Sequence, residues 1–224
     1  VEKTVVMRVE IWSDIACPWC YIGKERFEKG LARFPHRGEV EVVHRSYELD
    51  PDRPKGEVET VVEVLMRIYG RSREEAVAME EHVATNARAE GLPYRTDDRD
   101  HGNTFDIHRV LHLAKVRGLQ GELLDLVYRA NFADERSVYD DGVLIALAVE
   151  AGLDEAEVRG VVADREAYAA EVRADEREAS EMGAKGVPFF VFDRRYGVSG
   201  GQPAELFTQA LEQAWKSREA AASA

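Results

Sequence analysis

Residues 9–23 read Val9-Glu10-Ile11-Trp12-Ser13-Asp14-Ile15-Ala16-Cys17-Pro18-Trp19-Cys20-Tyr21-Ile22-Gly23, and they hold both cysteines of a 224-residue chain. Upstream, Val5, Met7, Val9 and Ile11 alternate with other residues, which is the two-residue period of a strand running to the Ser13-Asp14 break. Pro18 fits the first position of a helix, where its missing N–H costs nothing. Phe27, Leu31 and Phe34 then recur at helical spacing until Pro35 and Gly38 stop the segment. Val40, Val42 and His44 alternate with Glu41, Val43 and Arg45 in a second strand expected to reach about Leu49. Strand, helix and strand in this order imply a right-handed crossover and a parallel pair.

A helix that begins between the cysteines gives them different chemistry. With Cys17 as cap and Pro18 as first residue, Cys20 lies one turn on along the same face, close enough for a reversible disulfide. The free N–H groups and positive potential of the helix start favour a thiolate at Cys17. Cys20, set inside the turn, is expected to be the buried partner. Cys17 would attack a disulfide and Cys20 would resolve the mixed disulfide. Two rival readings compete with this one. A zinc site would need further ligands such as His108 and His112, but a chain of this size builds a core without metal. A structural disulfide over four residues would remove little unfolded-state entropy. No metal and no cofactor beyond the redox-active pair are expected.

Beyond Asp50-Pro51-Asp52-Arg53-Pro54 the apolar period becomes helical. Val58, Val61, Val62, Leu65, Met66 and Tyr69 form one predicted helix face. Ser72 and Glu75 form a capping box for the next helix. Further helices are predicted at about 103–117, 119–133, 140–151 and 154–182, the last broken near Asp164, and the Glu/Arg alternation over 154–181 reads as a solvated face. Strand character returns at residues 187–192. Residues 194–197 read as a turn into a short strand at Val198-Ser199, and a last helix starts near Pro203, with fraying expected after Trp215. The expected fold is α/β: a discontinuous sheet domain, 1–54 and 153–224, interrupted by an all-helical insertion over 55–152. The insertion is expected to shape a substrate cleft while supplying none of the redox chemistry.

Composition narrows the function classes. Thirty Lys and Arg against 43 Asp and Glu give a net charge of −13 with no evident basic cluster, so nucleic acid is not an expected partner. No apolar run reaches the roughly 18 residues of a membrane span. The charged N-terminus lacks the apolar stretch of a signal peptide, which predicts a cytoplasmic protein. Met7, just before the first strand, is a possible translation start, and residues 1–6 carry little weight.

Trp12-Ser13-Asp14, Cys17-Pro18-Trp19-Cys20 and Gly23 resemble the DsbA-like branch of the thioredoxin superfamily, and most closely its FrnE-like oxidoreductases. Ser46-Tyr47-Glu48-Leu49-Asp50-Pro51, residues 103–109, residues 186–191 and Ser199-Gly200-Gly201-Gln202-Pro203 continue the match in the family's order. The resemblance implies a thioredoxin-like domain interrupted by helices, in agreement with the periods. It also implies that Val187-Pro188 is a cis bond beside the cysteines and that Val187 pairs with substrate backbone; from sequence alone, Pro188 reads as an edge-strand proline in trans. It places Asn103 and His108 over the cleft, although Asn103 equally suits a helix cap, Gln202 a helix start, and His108 ordinary packing. Trp19, between the cysteines, is expected to be exposed and to meet substrate.

The function implied is a dithiol–disulfide oxidoreductase acting on thiols or disulfides of proteins, peptides or small molecules, with glutathione as a candidate exchange partner. Its rival is the glutathione-dependent branch, kappa-class transferases and 2-hydroxychromene-2-carboxylate isomerases. Members of that branch typically carry Ser where Cys17 stands and lack a second thiol, so Cys17 and Cys20 both count against it. A third reading, a peptide-binding module with incidental cysteines, is separated from the first by turnover.

Overall fold

A computed structural model describes residues 6–96, 99–134 and 136–222. Strand β1 (Met7–Ser13) leads into helix α1 (Pro18–Ala32), and β2 (Val40–Ser46) pairs parallel to β1 from Met7 opposite Val40 to Ser13 opposite Ser46. The expected alternation of β1 decides its two faces. Met7, Val9 and Ile11 enter a core with Phe27, Phe34, Phe190, Phe192, Phe207 and Leu211, while Trp12 packs on the other side with Phe189, Val191 and Ala179. Val5, the first residue of the expected pattern, lies outside the described residues.

A helical region follows β2. A capping box of Thr60 and Glu63 starts α2 (Val61–Tyr69), and a second one of Ser72 and Glu75 starts α3 (Arg73–Ala89). Then come α4 (Phe105–Arg117), α5 (Gln120–Phe132), α6 (Asp141–Glu150), α7 (Glu155–Ala163) and α8 (Ala169–Glu181). The break near Asp164 is stitched by the fully buried Arg109, whose guanidinium donates to the carbonyls of Val161, Asp164 and Ala167 at 2.6, 2.7 and 3.1 Å. The chain returns as β5 (Phe189–Phe192), antiparallel to β1, then β6 (Tyr196–Ser199) and α9 (Ala204–Ala222). In the sheet of order β2-β1-β5-β6, α1 and α9 cover one face and α8 the other. Among the described residues no helix is long and apolar enough to cross a membrane.

Four boundaries differ from the sequence expectation. Strand β2 ends at Ser46 rather than near Leu49, because the next N–H groups turn to side chains: Leu49 donates to Asp14 Oδ2 at 2.8 Å and Glu48 to Glu176 Oε1 at 3.3 Å. Val58 precedes α2, where Glu59–Thr60 form a two-residue strand, β3, antiparallel to β4 (Asp100–His101). The hairpin turn lies one residue earlier than expected, with Asp193 and Arg194 both at positive φ, the pair of left-handed residues a tight hairpin requires. Helix α9 continues past Trp215 to Ala222, held by a Tyr196–Ser217 hydroxyl contact of 2.6 Å and an Arg218–Asp193 ion pair.

Candidate active site

Cys17 caps α1 in an extended conformation with Pro18 as the first helical residue, and the Cys20 N–H donates to the Cys17 carbonyl at 3.0 Å. Both thiols are free. The contrast in exposure is smaller than expected, since Cys17 is 6% and Cys20 2% exposed, but Cys17 lines an open cleft and Cys20 does not. Burial pushes the Cys20 thiol well above its ordinary value; Cys17 beside it and the Asp14 charge push the same way, against a backbone hydrogen bond from Asp14. Val187-Pro188 is cis, and the Cys17 thiol donates to the Val187 carbonyl at 3.6 Å. Two glycines permit this approach. A Cβ on Gly23 would meet Pro188 Cγ at 3.0 Å and Gly201 Cα at 3.2 Å, and one on Gly201 would meet the Trp19 carbonyl at 3.1 Å.

Beneath the start of α1 lies a pair that joins the helical region to the sheet. His108 on α4, 1% exposed, donates from Nε2 to Asp14 Oδ1 at 3.3 Å. Burial alone would lower His108, but the hydrogen bond and charge of Asp14 outweigh it and hold the imidazole above its ordinary value. Asp14 is held below the usual carboxylate value: burial raises it, and His108, the Leu49 N–H and Thr104 together more than offset that. Glu48, behind them, is pushed up to about 7 by burial despite its 2.5 Å ion pair with Arg173.

The remaining sequence-stated residues spread over three settings. Trp19 is half-buried rather than exposed, in the cleft wall against His82 of α3 at 6.2 Å between ring centroids. Asn103 spends its side chain within the protein, accepting from the Phe105 N–H at 2.9 Å and donating to the Arg53 carbonyl at 2.8 Å. Gln202 donates to the Ser199 carbonyl at 2.9 Å and shapes its own loop. His112, the other imidazole of the rival zinc reading, pairs with Asp175 Oδ2 at 3.1 Å and meets Ser46 Oγ at 3.2 Å, so each imidazole has a separate carboxylate partner. Sequence reasoning did not single out Asp14, Glu48 or Tyr128 as site residues. The first two stand inside quoted motifs, a signal that could have found them; Tyr128 has none.

The cleft beside Cys17 encloses about 940 Å³ between the start of α1 and helices α2 and α3. Val61, Val64, Leu65, Ile68, Met79 and Val83 make its wall apolar, and Ile68 stays more than half exposed there. Arg99 also borders it, paired with Glu80 at 3.3 Å and lying over the Phe132 ring at 4.8 Å. The arrangement offers a sulfur that can be attacked from the cleft, a second sulfur shielded behind it, and an apolar bed for whatever carries the reacting bond.

Comparison with known proteins agrees with this geometry. Residues 8–212 match the profile of the DSBA-like thioredoxin domain. The solved structure of a protein described as a probable DsbA oxidoreductase from Streptomyces coelicolor is 68% identical, with a TM-score of 0.92, over 94% of this chain and 90% of that one. The Bacillus subtilis protein YwbO is 24% identical over 96% of this chain and all of its own length. The cytosolic disulfide reductase DsbM from Pseudomonas aeruginosa, solved with GSH, shares the fold at 19% identity and a TM-score of 0.64, over 93% of this chain and 99% of that one.

Proposed function

The chain belongs to the DSBA-like thioredoxin domain family, and from that premise we propose that it is a dithiol–disulfide oxidoreductase working through Cys17 and Cys20. The observation that carries this reading is the pair itself: two free thiols one helical turn apart at the start of α1, the first beside the cleft and the Val187 carbonyl, the second shielded. Cys17 as thiolate attacks a substrate disulfide, forming a mixed disulfide and releasing one substrate sulfur as a thiolate. Cys20 then loses its proton and attacks the Cys17 sulfur, forming Cys17–Cys20 and releasing the second substrate sulfur. Run backwards, the same steps oxidise a substrate dithiol. The substrates are thiols or disulfides of proteins, peptides or small molecules with an apolar surface for the cleft, and glutathione is an exchange partner that would reset the pair.

Insulin reduction with mass spectrometry of trapped adducts tests the assignment. Cys17→Ser is expected to abolish turnover, and Cys20→Ser to accumulate a mixed disulfide on Cys17. Full activity in both variants would sink the assignment.

A further inference from the structure

Tyr128 sits on α5, in the helical region, and is 1% exposed, yet among the described residues its buried hydroxyl donates no hydrogen bond. A phenylalanine would fill the same space without leaving a polar atom unpaired, so the hydroxyl calls for an explanation. Its placement supplies one. The ring packs 5.7 Å from Tyr21, the residue after Cys20. One turn further along α5, Asn131 Nδ2 donates to the Ile15 carbonyl at 2.9 Å, which pins that helix face to the loop entering α1. The polar groups around the hydroxyl are Cys20, the Ser13 hydroxyl, Cys17 and Asp14. Burial, first, and the charges of Cys20, Cys17 and Asp14 outweigh the opposing pull of the Ser13 hydroxyl and hold the phenol well above its ordinary value, so it keeps its proton at any working pH.

Resting on the dithiol reading above, we propose that the Tyr128 hydroxyl is the hydrogen-bond donor that stabilises the Cys20 sulfur as its negative charge develops. In the second step of disulfide reduction the Cys20 proton passes to solvent base. The Cys20 electron pair forms the bond to the Cys17 sulfur, the bond between Cys17 and the substrate sulfur breaks, and that sulfur leaves as a thiolate to be protonated by solvent. Tyr128 donates a hydrogen bond to the sulfur only as its negative charge develops, and transfers no proton. In the oxidising direction the Cys20 sulfur is the leaving group, and the same donor serves it. A thiolate in this pocket, already opposed by burial and by Asp14, has much to gain from one donor within reach. The helical region would then contribute to the chemistry, against the division of labour expected from the sequence.

The test uses reduced full-length protein and the chromogenic disulfide 5,5′-dithiobis(2-nitrobenzoate), which releases one coloured thiolate when Cys17 attacks and a second when Cys20 resolves the adduct. In Tyr128→Phe the first phase should stay within about twofold of wild type, while the second slows roughly ten- to a hundredfold, the range for a hydrogen bond to a charged group. The variant should melt no lower than wild type, and its Cys20 thiol should titrate higher. Site-specific 3-fluorotyrosine at position 128, a stronger donor of nearly the same shape, should speed the second phase, and this arm decides the matter if the phenylalanine variant fails to fold. A second phase unchanged in the folded variants overturns the inference and leaves the dithiol reading standing. A wild-type protein that releases no second thiolate overturns both.

Discussion

At the scale of single residues, the Asp14–His108 pair makes a statement about pH. Because the folded protein holds His108 above its ordinary value, its contribution is fully present below about 6.5 and is lost as pH rises through the raised folded value. Asp14 is depressed, so its contribution is present above the ordinary carboxylate value and is lost as pH falls through the depressed one. The pair therefore stabilises most between those limits and fails on both sides. His108→Gln should cost about 3–5 kcal/mol near pH 6, the penalty for stranding a buried charge. It should also remove the wild-type decline on the alkaline side, as read from urea titrations at several pH values. A variant with wild-type stability at pH 6 would mean that the pair does not form. The sequence showed a histidine on an apolar helix and an aspartate at a strand end, and nothing in either pattern pairs them, since 94 positions separate the two.

Helices were the most legible elements, because caps and 3.6-residue periods are local properties. Both β3 and β4 were not, since two-residue strands have no period to read and exist only where the chain brings residues 59–60 against 100–101. The same division appears in the glycines. Gly160 lies in α7 with nothing within 4 Å of an added Cβ, so Gly160→Ala should stabilise by about 0.5–1 kcal/mol through helix propensity. Gly30 lies in α1 with the same local preference, yet an added Cβ would stand 2.7 Å from the Ala204 carbonyl and 2.9 Å from Phe207 Cβ. Overpacking at about 1–3 kcal/mol outweighs propensity there, and Gly30→Ala should destabilise. Thermal melts of the two variants should move in opposite directions; a shared upward shift would show that α1 and α9 can part at no cost.

For the whole molecule, the apolar cluster that buries Cys17 and, on α1, Cys20, Tyr21 and Ile22 is completed by Val110, Leu111, Tyr128 and Phe132 of the helical region. A core shared in this way predicts one cooperative unfolding transition. Far-UV circular dichroism, tryptophan fluorescence and Cys20 alkylation should give coincident urea midpoints, and two separated midpoints would show that the insertion unfolds independently. Replacing residues 55–152 with a linker should likewise abolish the transition instead of leaving a reactive sheet domain. The sequence by itself determined the elements and the reacting pair: alternation, helical period, capping boxes and the two-residue cysteine spacing act between near neighbours, so a linear reading recovers them. Only the tertiary structure decided which groups surround the sulfurs. Asp14 meets His108, Tyr128 comes beside Cys20, and Gly23 meets Pro188 because helices distant in the chain bury their apolar faces together, and burial is what turns ordinary side chains into the electrostatic environment of a thiol.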